Sequence, residues 1–402
     1  MHTLEKAVNM SKPLAARVNR VQLSPTVAMT ARAIALQSAG QDVISLSAGE
    51  PDFRTPKHIG EAAWAAIQAG KTKYTAIDGT KSLKDAIILK FQRDNGLTFK
   101  NTEILVSNGG KQSLYNACQA LVDAEHEVII PAPFWASFPD MVKLADAKPV
   151  IVQTDLKSGF RITPKQLNNS ITSKTRAIII NSPCNPSGTA YTRSDWEALA
   201  KVLVKYPKIY IIADDIYEHI YWGEEKYCTL LTVCPELRDR TIVVNGVSKS
   251  YAMTGWRIGY SAAPEPIIKA MTIIQSQSTT NACSISQAAA EAALRGPQTA
   301  VKEMCKAFKE RHDYVVDRLN GLNGFKCRPC EGTFYAFPNI EETLSLLGFK
   351  NDAEFCEKLL EKQGVAIVPG TAFGSPGHIR LSFAASLTTL KTALDRIEDF
   401  IS

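Results

Sequence analysis

Thr241-Ile242-Val243-Val244-Asn245-Gly246 is a continuous apolar, β-branched run that turns polar at its end and leads, through Val247, into Ser248-Lys249-Ser250. Such a run fits a strand buried on both faces, as in a mainly parallel sheet whose two sides are covered by helices. The same signature recurs upstream in Glu103-Ile104-Leu105-Val106-Ser107, Glu127-Val128-Ile129-Ile130, Lys148-Pro149-Val150-Ile151-Val152, Arg176-Ala177-Ile178-Ile179-Ile180-Asn181 and Ile209-Tyr210-Ile211-Ile212-Ala213-Asp214. After Gly109-Gly110, Leu114, Cys118 and Leu121 recur at helical spacing. This alternation predicts an α/β domain built on a mainly parallel central sheet flanked by helices. Three of the strands end in polar residues followed by loops: Asn181 before Ser182-Pro183-Cys184-Asn185-Pro186-Ser187-Gly188, Asp214 before Asp215-Ile216-Tyr217, and Asn245 before Lys249. Open α/β sheets bind ligands outside the carboxyl ends of their strands, so the three loops are expected to share one crevice.

From about Ser286 helical periodicity takes over, with Ala292, Val301, Met304 and Phe308, interrupted by strand-like residues 332–337, 365–368 and 378–383. That mixture predicts a second, smaller α+β domain completed by the N-terminal arm. The expected division is 46–285 for the large domain and 1–45 plus 286–402 for the small one. A chain of 402 residues, 45% hydrophobic and 21% charged, has room for two domains and a large core. Its 46 basic and 40 acidic residues give a net charge of +6, too small and dispersed to argue for nucleic acid as a partner.

Nine cysteines, an odd number scattered from Cys118 to Cys356, read as reduced thiols in a cytoplasmic chain. Cys327-Arg328-Pro329-Cys330 is a lone C-x-x-C with no second pair or nearby histidine cluster, so no metal site is expected from it. The first 20 residues carry Glu5, lack an apolar core and have no arginine before Arg17, so neither a secretion signal nor a presequence is expected. No run approaches the roughly 18 apolar residues of a membrane span.

The chemistry is carried by a few residues at strand ends. A lysine at the carboxyl end of a buried strand, with Arg257 eight residues on, suits a Schiff-base amine beside a bound phosphate, and that pair points to pyridoxal phosphate. Asp214 ends a strand with Tyr217 three residues later. It suits a carboxylate that keeps a pyridine nitrogen protonated, or equally a helix cap beside a packed tyrosine. Asn185 lies in Asn185-Pro186-Ser187-Gly188, a turn that directs an amide inward or is simply a turn. Gly109-Gly110-Lys111 opens a helix whose N–H groups make a phosphate cradle. Trp135 can stack on an aromatic cofactor or fill core. Arg380, between apolar neighbours, matches a carboxylate bidentately or salt-bridges within the small domain.

Together, Gly49-Glu50-Pro51-Asp52-Phe53, Tyr74, Gly109-Gly110-Lys111, Trp135, Asn185-Pro186-Ser187-Gly188, Asp214-Asp215-Ile216-Tyr217, Ser248-Lys249, Gly255-Trp256-Arg257-Ile258-Gly259 and Arg380-Leu381-Ser382 strongly resemble class I pyridoxal-phosphate aminotransferases. The resemblance is nearest to the bacterial Ib subgroup of aspartate aminotransferases and runs from about Asn19 to the C-terminus. It implies fold type I of pyridoxal-phosphate enzymes and ping-pong transfer of the amino group of aspartate to 2-oxoglutarate. Lys249 then carries the cofactor and shuttles the proton, Asp214 pairs with the pyridine nitrogen, Tyr217 and Asn185 hold the phenolic oxygen, and Trp135 stacks on the ring. Arg257 and the amides of Gly110 and Lys111 hold the phosphate, with Gly109 and Ser248 in the same set. Tyr74 is implied to reach across from the other subunit of a homodimer. Gly49 lies against the substrate and Arg380 binds its α-carboxylate, beside Trp135 and Asn185. Lys111 matches the lysine that binds the distal carboxylate. Without it, an aromatic or neutral amino acid is the alternative donor. Two departures stand out. Gly246 replaces a phosphate-binding serine, and Gln22 replaces a lysine of members that aminate prephenate, which argues against prephenate here.

Overall fold

The structure, a computed structural model, describes residues 14–402; the first thirteen residues of the expected small-domain arm lie outside them. Twelve strands are described: β1 (Ile44–Ser45), β2 (Ile104–Ser107), β3 (Glu127–Ala132), β4 (Lys148–Gln153), β5 (Thr175–Asn181), β6 (Tyr210–Asp214), β7 (Thr241–Gly246), β8 (Gly259–Ala262), β9 (Tyr335–Ala336), β10 (Val365–Ala366), β11 (Val368–Pro369) and β12 (Ile379–Ser382). Seven of them form one sheet in the order β2-β8-β7-β6-β5-β3-β4. β4, β3, β5, β6 and β7 pair in parallel, while β8 runs antiparallel to both of its neighbours.

Period-two alternation explains why each apolar run needs cover on both sides. Ile178 and Ile180 of β5 point into one cluster with Ile59, Leu83, Trp196 and Ala289 from helices on that face. Ala177 and Ile179 point into another with Leu114, Phe138 and Ile267 on the opposite face. The expectation of an α/β fold with a mainly parallel central sheet flanked by helices therefore holds.

A third core joins Leu46, Tyr217, Phe308, Tyr335, Phe355, Ile379, Leu381 and Leu394. The Thr299–Asn320 helix enters it with Met304, Phe308, Val315 and Leu319, which recur at four- and seven-residue steps along one face. Short sheets order this region: β11-β12-β9 is antiparallel, and β1 pairs in parallel with β10.

Three details differ from the sequence reading. Residues 365–368 split between two sheets, because Ile44–Ser45 claims Val365–Ala366 and β12 claims Val368–Pro369. Of residues 332–337 only Tyr335–Ala336 is strand. Thr333, at φ +67°, breaks the extended run, and its N–H goes to Ile220 O. β8 is an additional strand, unmarked in the sequence because Gly-Tyr-Ser-Ala lacks the β-branched signature.

Behind the carboxyl ends of β6 and β7 lies a buried ion pair. The fully buried Lys90 pairs with Glu218, and Asn95 and Asn245 each donate to that carboxylate at 2.8 Å. This fastens the loop after β6 to the Lys81–Lys90 helix and to β7. A buried charge that loses its partner typically costs about 3–5 kcal/mol. Lys90→Met is therefore expected to destabilise the chain by roughly 3 kcal/mol in urea unfolding, and adding Glu218→Gln to restore part of that loss.

Candidate active site

In the sheet order β7-β6-β5, Asn181 lies opposite Asp214, and Asp214 opposite Val244, so three loop-bearing strand ends stand side by side. The β2 end, before Gly109, and the β3 end, before Trp135, open on the same edge. Here they enclose a cavity of about 260 Å³ lined by Gly49, Gly110, Lys111, Trp135, Asn185, Asp214, Tyr217, Ser248, Lys249, Arg257 and Arg380. Eleven residues selected from the sequence thus meet in one crevice. Gly109 adjoins it through Arg257, and Tyr74 stands apart, 92% exposed.

The Lys249 amine donates to Gly49 O at 2.5 Å. Burial and the nearby charges of Arg257 and Arg380 pull its pKa down to about 8, against the opposing pull of Glu50 and Asp214. A useful fraction of the amine is then neutral and nucleophilic near neutral pH. A Cβ at Gly49 would fall 2.8 Å from Tyr335 Oη, so a side chain there would crowd the floor of the site.

Asp214 is buried, and burial pushes its carboxyl up to about 7, with the Ile216 N–H and Lys249 opposing. Its Oδ1 accepts from that N–H at 3.3 Å. A carboxyl held in this state favours any cation brought beside it. Asn181 Nδ2 donates to Asp214 O, and Asn181 Oδ1 accepts from Asn185 N–H, both at 2.8 Å, which ties the β5 loop to β6.

Asn185 Oδ1 accepts from Arg380 Nη1 at 3.0 Å, so the amide is turned with its NH2 as the donor left for a ligand. Tyr217 Oη lies 3.0 Å from Tyr335 Oη, within the same buried group. Arg380 is 1% exposed. Its Nη2 donates to Ser47 O at 2.6 Å, and its guanidinium lies over the Tyr335 and Phe373 rings at 4.4 and 4.9 Å. Among the described residues no carboxylate pairs with it and its Nε has no partner, so the salt-bridge alternative fails. A buried cation held only by dipoles and ring faces is poised for an anion.

At the opposite end, Gly109 caps the Gly110–Leu121 helix at φ +82°. A Cβ there would lie 2.4 Å from Arg257 Nη2. The N–H groups of Gln112 and Ser113 already point to Gly109 O, which leaves those of Gly110 and Lys111, together with the Arg257 guanidinium, to face an anion. Gly246 supplies no hydroxyl to this end, and a Cβ on it would meet Ile258 O at 2.9 Å. Lys111 Nζ rests 4.9 Å from the Trp135 ring centroid, and desolvation and Arg257 lower its pKa.

Sequence reasoning missed Tyr335, whose place between Gly49, Tyr217 and Arg380 comes from long-range pairing of β9 with β12. It also missed Ser24, Thr26 and Val27, which line the cavity from the start of the Pro25–Ser38 helix. Asp94, Glu218 and His219 bring potential metal ligands within 4.8 Å of one another, but Arg93 and Lys90 already neutralise the two carboxylates.

Comparison with known proteins agrees with this geometry. The family model for aminotransferases of class I and II matches residues 41–397. The chain is 50% identical over 395 residues to an aspartate/prephenate aminotransferase of Nitrosomonas europaea, covering 97% of this chain and all of that one. It is 47% identical over 388 residues to an aspartate aminotransferase of Bacillus subtilis, covering 96% and 98%. Among solved structures, the aspartate aminotransferase of Rhizobium meliloti superposes with a TM-score of 0.93 at 46% identity, covering 97% of this chain and 99% of that one. That of Thermus thermophilus with maleate gives 0.91 at 40%, covering 96% and 99%. With a crevice that joins a depressed lysine, a buried aspartate and an unpaired buried arginine, this chain belongs to the class I and II aminotransferases, a pyridoxal-phosphate-dependent family.

Proposed function

We propose that this enzyme transfers the amino group of L-aspartate to 2-oxoglutarate, yielding oxaloacetate and L-glutamate in a ping-pong cycle. One observation carries the substrate class: Arg380 and Lys111 share the cavity with Lys249, and among the described residues no carboxylate neutralises either cation. Two separate cations suit the two carboxylates of a dicarboxylic acid. The names of the Bacillus and Rhizobium relatives, and the dicarboxylate maleate in the Thermus structure, support the same reading.

The residues present fit the family's cofactor. The free N–H groups at Gly110 and Lys111, with Arg257 and Ser248, form an anion cradle, and Gly109 keeps the space that a Cβ would fill. Bound pyridoxal phosphate supplies an aldehyde that takes up the amino group and a ring that accepts the electron pair released at the substrate α-carbon. In this reading Asp214 holds a positive charge on the ring nitrogen. Tyr217 Oη and the Asn185 NH2 donate to the phenolic oxygen, and Trp135 covers a ring face. Arg380 grips the α-carboxylate beside Gly49. Because the Arg380 guanidinium also bonds Asn185, substrate and ring are oriented by one connected set of dipoles. Lys249 Nζ is placed in the cavity to take the proton from the substrate α-carbon and would move it between that carbon and the aldehyde carbon of the bound cofactor. Lys111 turns from the Trp135 face to the distal carboxylate. An exposed cation–π contact is worth only about 0.5–1 kcal/mol, little enough to be exchanged.

We further infer a homodimer in which Tyr74 of each chain completes the phosphate site of the other. Its 92% exposure and the outward face of Arg257 support this. We also propose that 46–285 acts as the cofactor-binding unit and 1–45 with 286–402 as the smaller unit. Nine unpaired cysteines support a cytoplasmic setting, and among the described residues no helix is long and apolar enough to cross a membrane. With the neutral, exposed Gln22 just ahead of the cavity-lining Ser24, prephenate is expected to be a poor acceptor.

L-Aspartate added alone to the cofactor-loaded enzyme is expected to shift the visible absorbance to that of the amine form and release one equivalent of oxaloacetate per site. 2-Oxoglutarate then restores the starting spectrum. No spectral change with aspartate refutes the assignment. Lys249→Ala is expected to lose covalently retained cofactor and several orders of magnitude in rate, read by borohydride trapping and steady-state assay. Lys111→Gln is expected to lower kcat/KM for aspartate about 10- to 100-fold while phenylalanine turnover changes little. Equal losses for both would remove the argument from Lys111 for a dicarboxylate donor. Since the neutral amine attacks and Lys249 titrates at about 8, covalent capture of the cofactor by the cofactor-free chain is expected to speed up from pH 6 to 8 and level off above, in stopped-flow traces.

A further inference from the structure

Tyr74 projects from residues 71–80, a segment without helix or strand that is nonetheless tied down along its length. Ser284 Oγ donates to Lys71 O at 2.8 Å, and Val106 N–H donates to Asp78 O at 3.0 Å. Lys84 pairs with Asp78, and two fully buried glutamines supply further anchors. Gln287 Oε1 accepts from Thr80 N–H at 2.8 Å, and its Nε2 donates to Thr75 Oγ1 at 3.0 Å and to Ala282 O at 2.8 Å. Gln275 Nε2 donates to Ile77 O at 2.9 Å and Val106 O at 2.8 Å. Its Oε1 accepts from Ser107 Oγ and Asn116 Nδ2 at 2.9 and 3.0 Å.

All four hydrogen-bonding valences of Gln275 are thus used, and three of the four bonds go to β2 or to the Gly110–Leu121 helix. A loop tied so fully, at whose tip one aromatic side chain is left in solvent, is ordered for something outside its own chain. Contacts made by a pre-ordered group cost less conformational entropy on association.

We propose that Gln287 and Gln275 are positioning residues that hold residues 71–80 so that Tyr74 is presented, already ordered, to the phosphate site of a second copy of this chain. This rests on the reading of Tyr74 given under the proposed function. Among the described residues the side-chain hydrogen bonds of Gln287 go to the presenting loop and to Ala282, just ahead of its own helix, and none goes to the chain's own cradle, so it acts on the partner's site. Gln275 also braces the strand and helix that lead into the chain's own cradle, so it acts on both sites.

Mixed dimers separate these roles. Co-expression with two tags pairs a chain carrying Lys249 with a Lys249→Ala chain, leaving one working site per dimer. The dissociation constant of pyridoxal phosphate at that site, and dimer content by sedimentation, are then measured. Gln287→Leu in the Lys249→Ala chain is expected to weaken binding about tenfold, and in the working chain less than about twofold. Thr75→Val, a milder change that carries the test should Gln287→Leu misfold, is expected to show the same asymmetry at about threefold. Gln275→Leu is expected to weaken binding in both placements, and an effect confined to one removes it from the assignment. Tyr74→Phe in the same two placements tests the underlying contact: no loss from the Lys249→Ala chain refutes the cross-subunit reading itself. If Tyr74→Phe acts across the dimer while Gln287→Leu and Thr75→Val act equally in both placements or not at all, the clamp is refuted and the contact stands.

Discussion

Arg380 is a full positive charge in the interior, neutralised by no carboxylate among the described residues, and much of the molecule is arranged to tolerate it. Its hydrogen bonds run to Ser47 O, just after β1, and to Asn185 Oδ1, in the loop after β5, while β12 itself pairs with β9 and β11. One side chain therefore connects the small antiparallel sheet, the N-terminal segment and the seven-stranded sheet. Leaving such a charge unpaired costs stability, so the arrangement makes sense only where an incoming anion repays it. The dipoles that hold the guanidinium in the meantime also fix the direction of the Asn185 amide, so binding and orientation are set by the same bonds.

The same economy governs the other side of the crevice. Among the described residues no cation is in bonding contact with the buried Asp214, yet its loop is stiffened from behind by Lys90, Glu218, Asn95 and Asn245, and His219 lies 3.0 Å from Asp94 and 3.3 Å from Ser250. Opposite charges are satisfied at the back, where rigidity is needed, and left open at the front, where a ligand enters. Preorganised sites keep their reacting groups under-satisfied in this way, because groups already paired have nothing left to offer a substrate.

The parallel part of the sheet was legible because strands buried on both faces leave continuous β-branched runs, and the shared crevice followed from the polar residues at their ends. Lys249, Asp214, Asn185 and Arg257 were legible for the same reason: each lies at a fixed offset from such a run. Tyr335 was not, since nothing local distinguishes a tyrosine in a core strand from one facing a cavity, and its position depends on Ser382, 47 residues away. The split of residues 365–369 was equally hidden, because the choice of partner is made by Ile44–Ser45, more than 300 residues earlier. β8 escaped notice through its small and polar residues. What local pattern reveals is burial, and what it conceals is the identity of the distant segment that does the burying.

The sheet order leaves β4 as an outer strand, with Lys148 and Pro149 at its start. An open parallel edge invites another molecule's strand to add to it, the first step towards fibrils. The Lys148 side chain is 71% exposed, and Pro149 removes one N–H from the strand. A largely exposed charge and a missing donor at the same end make that margin a poor template for a strand from another molecule.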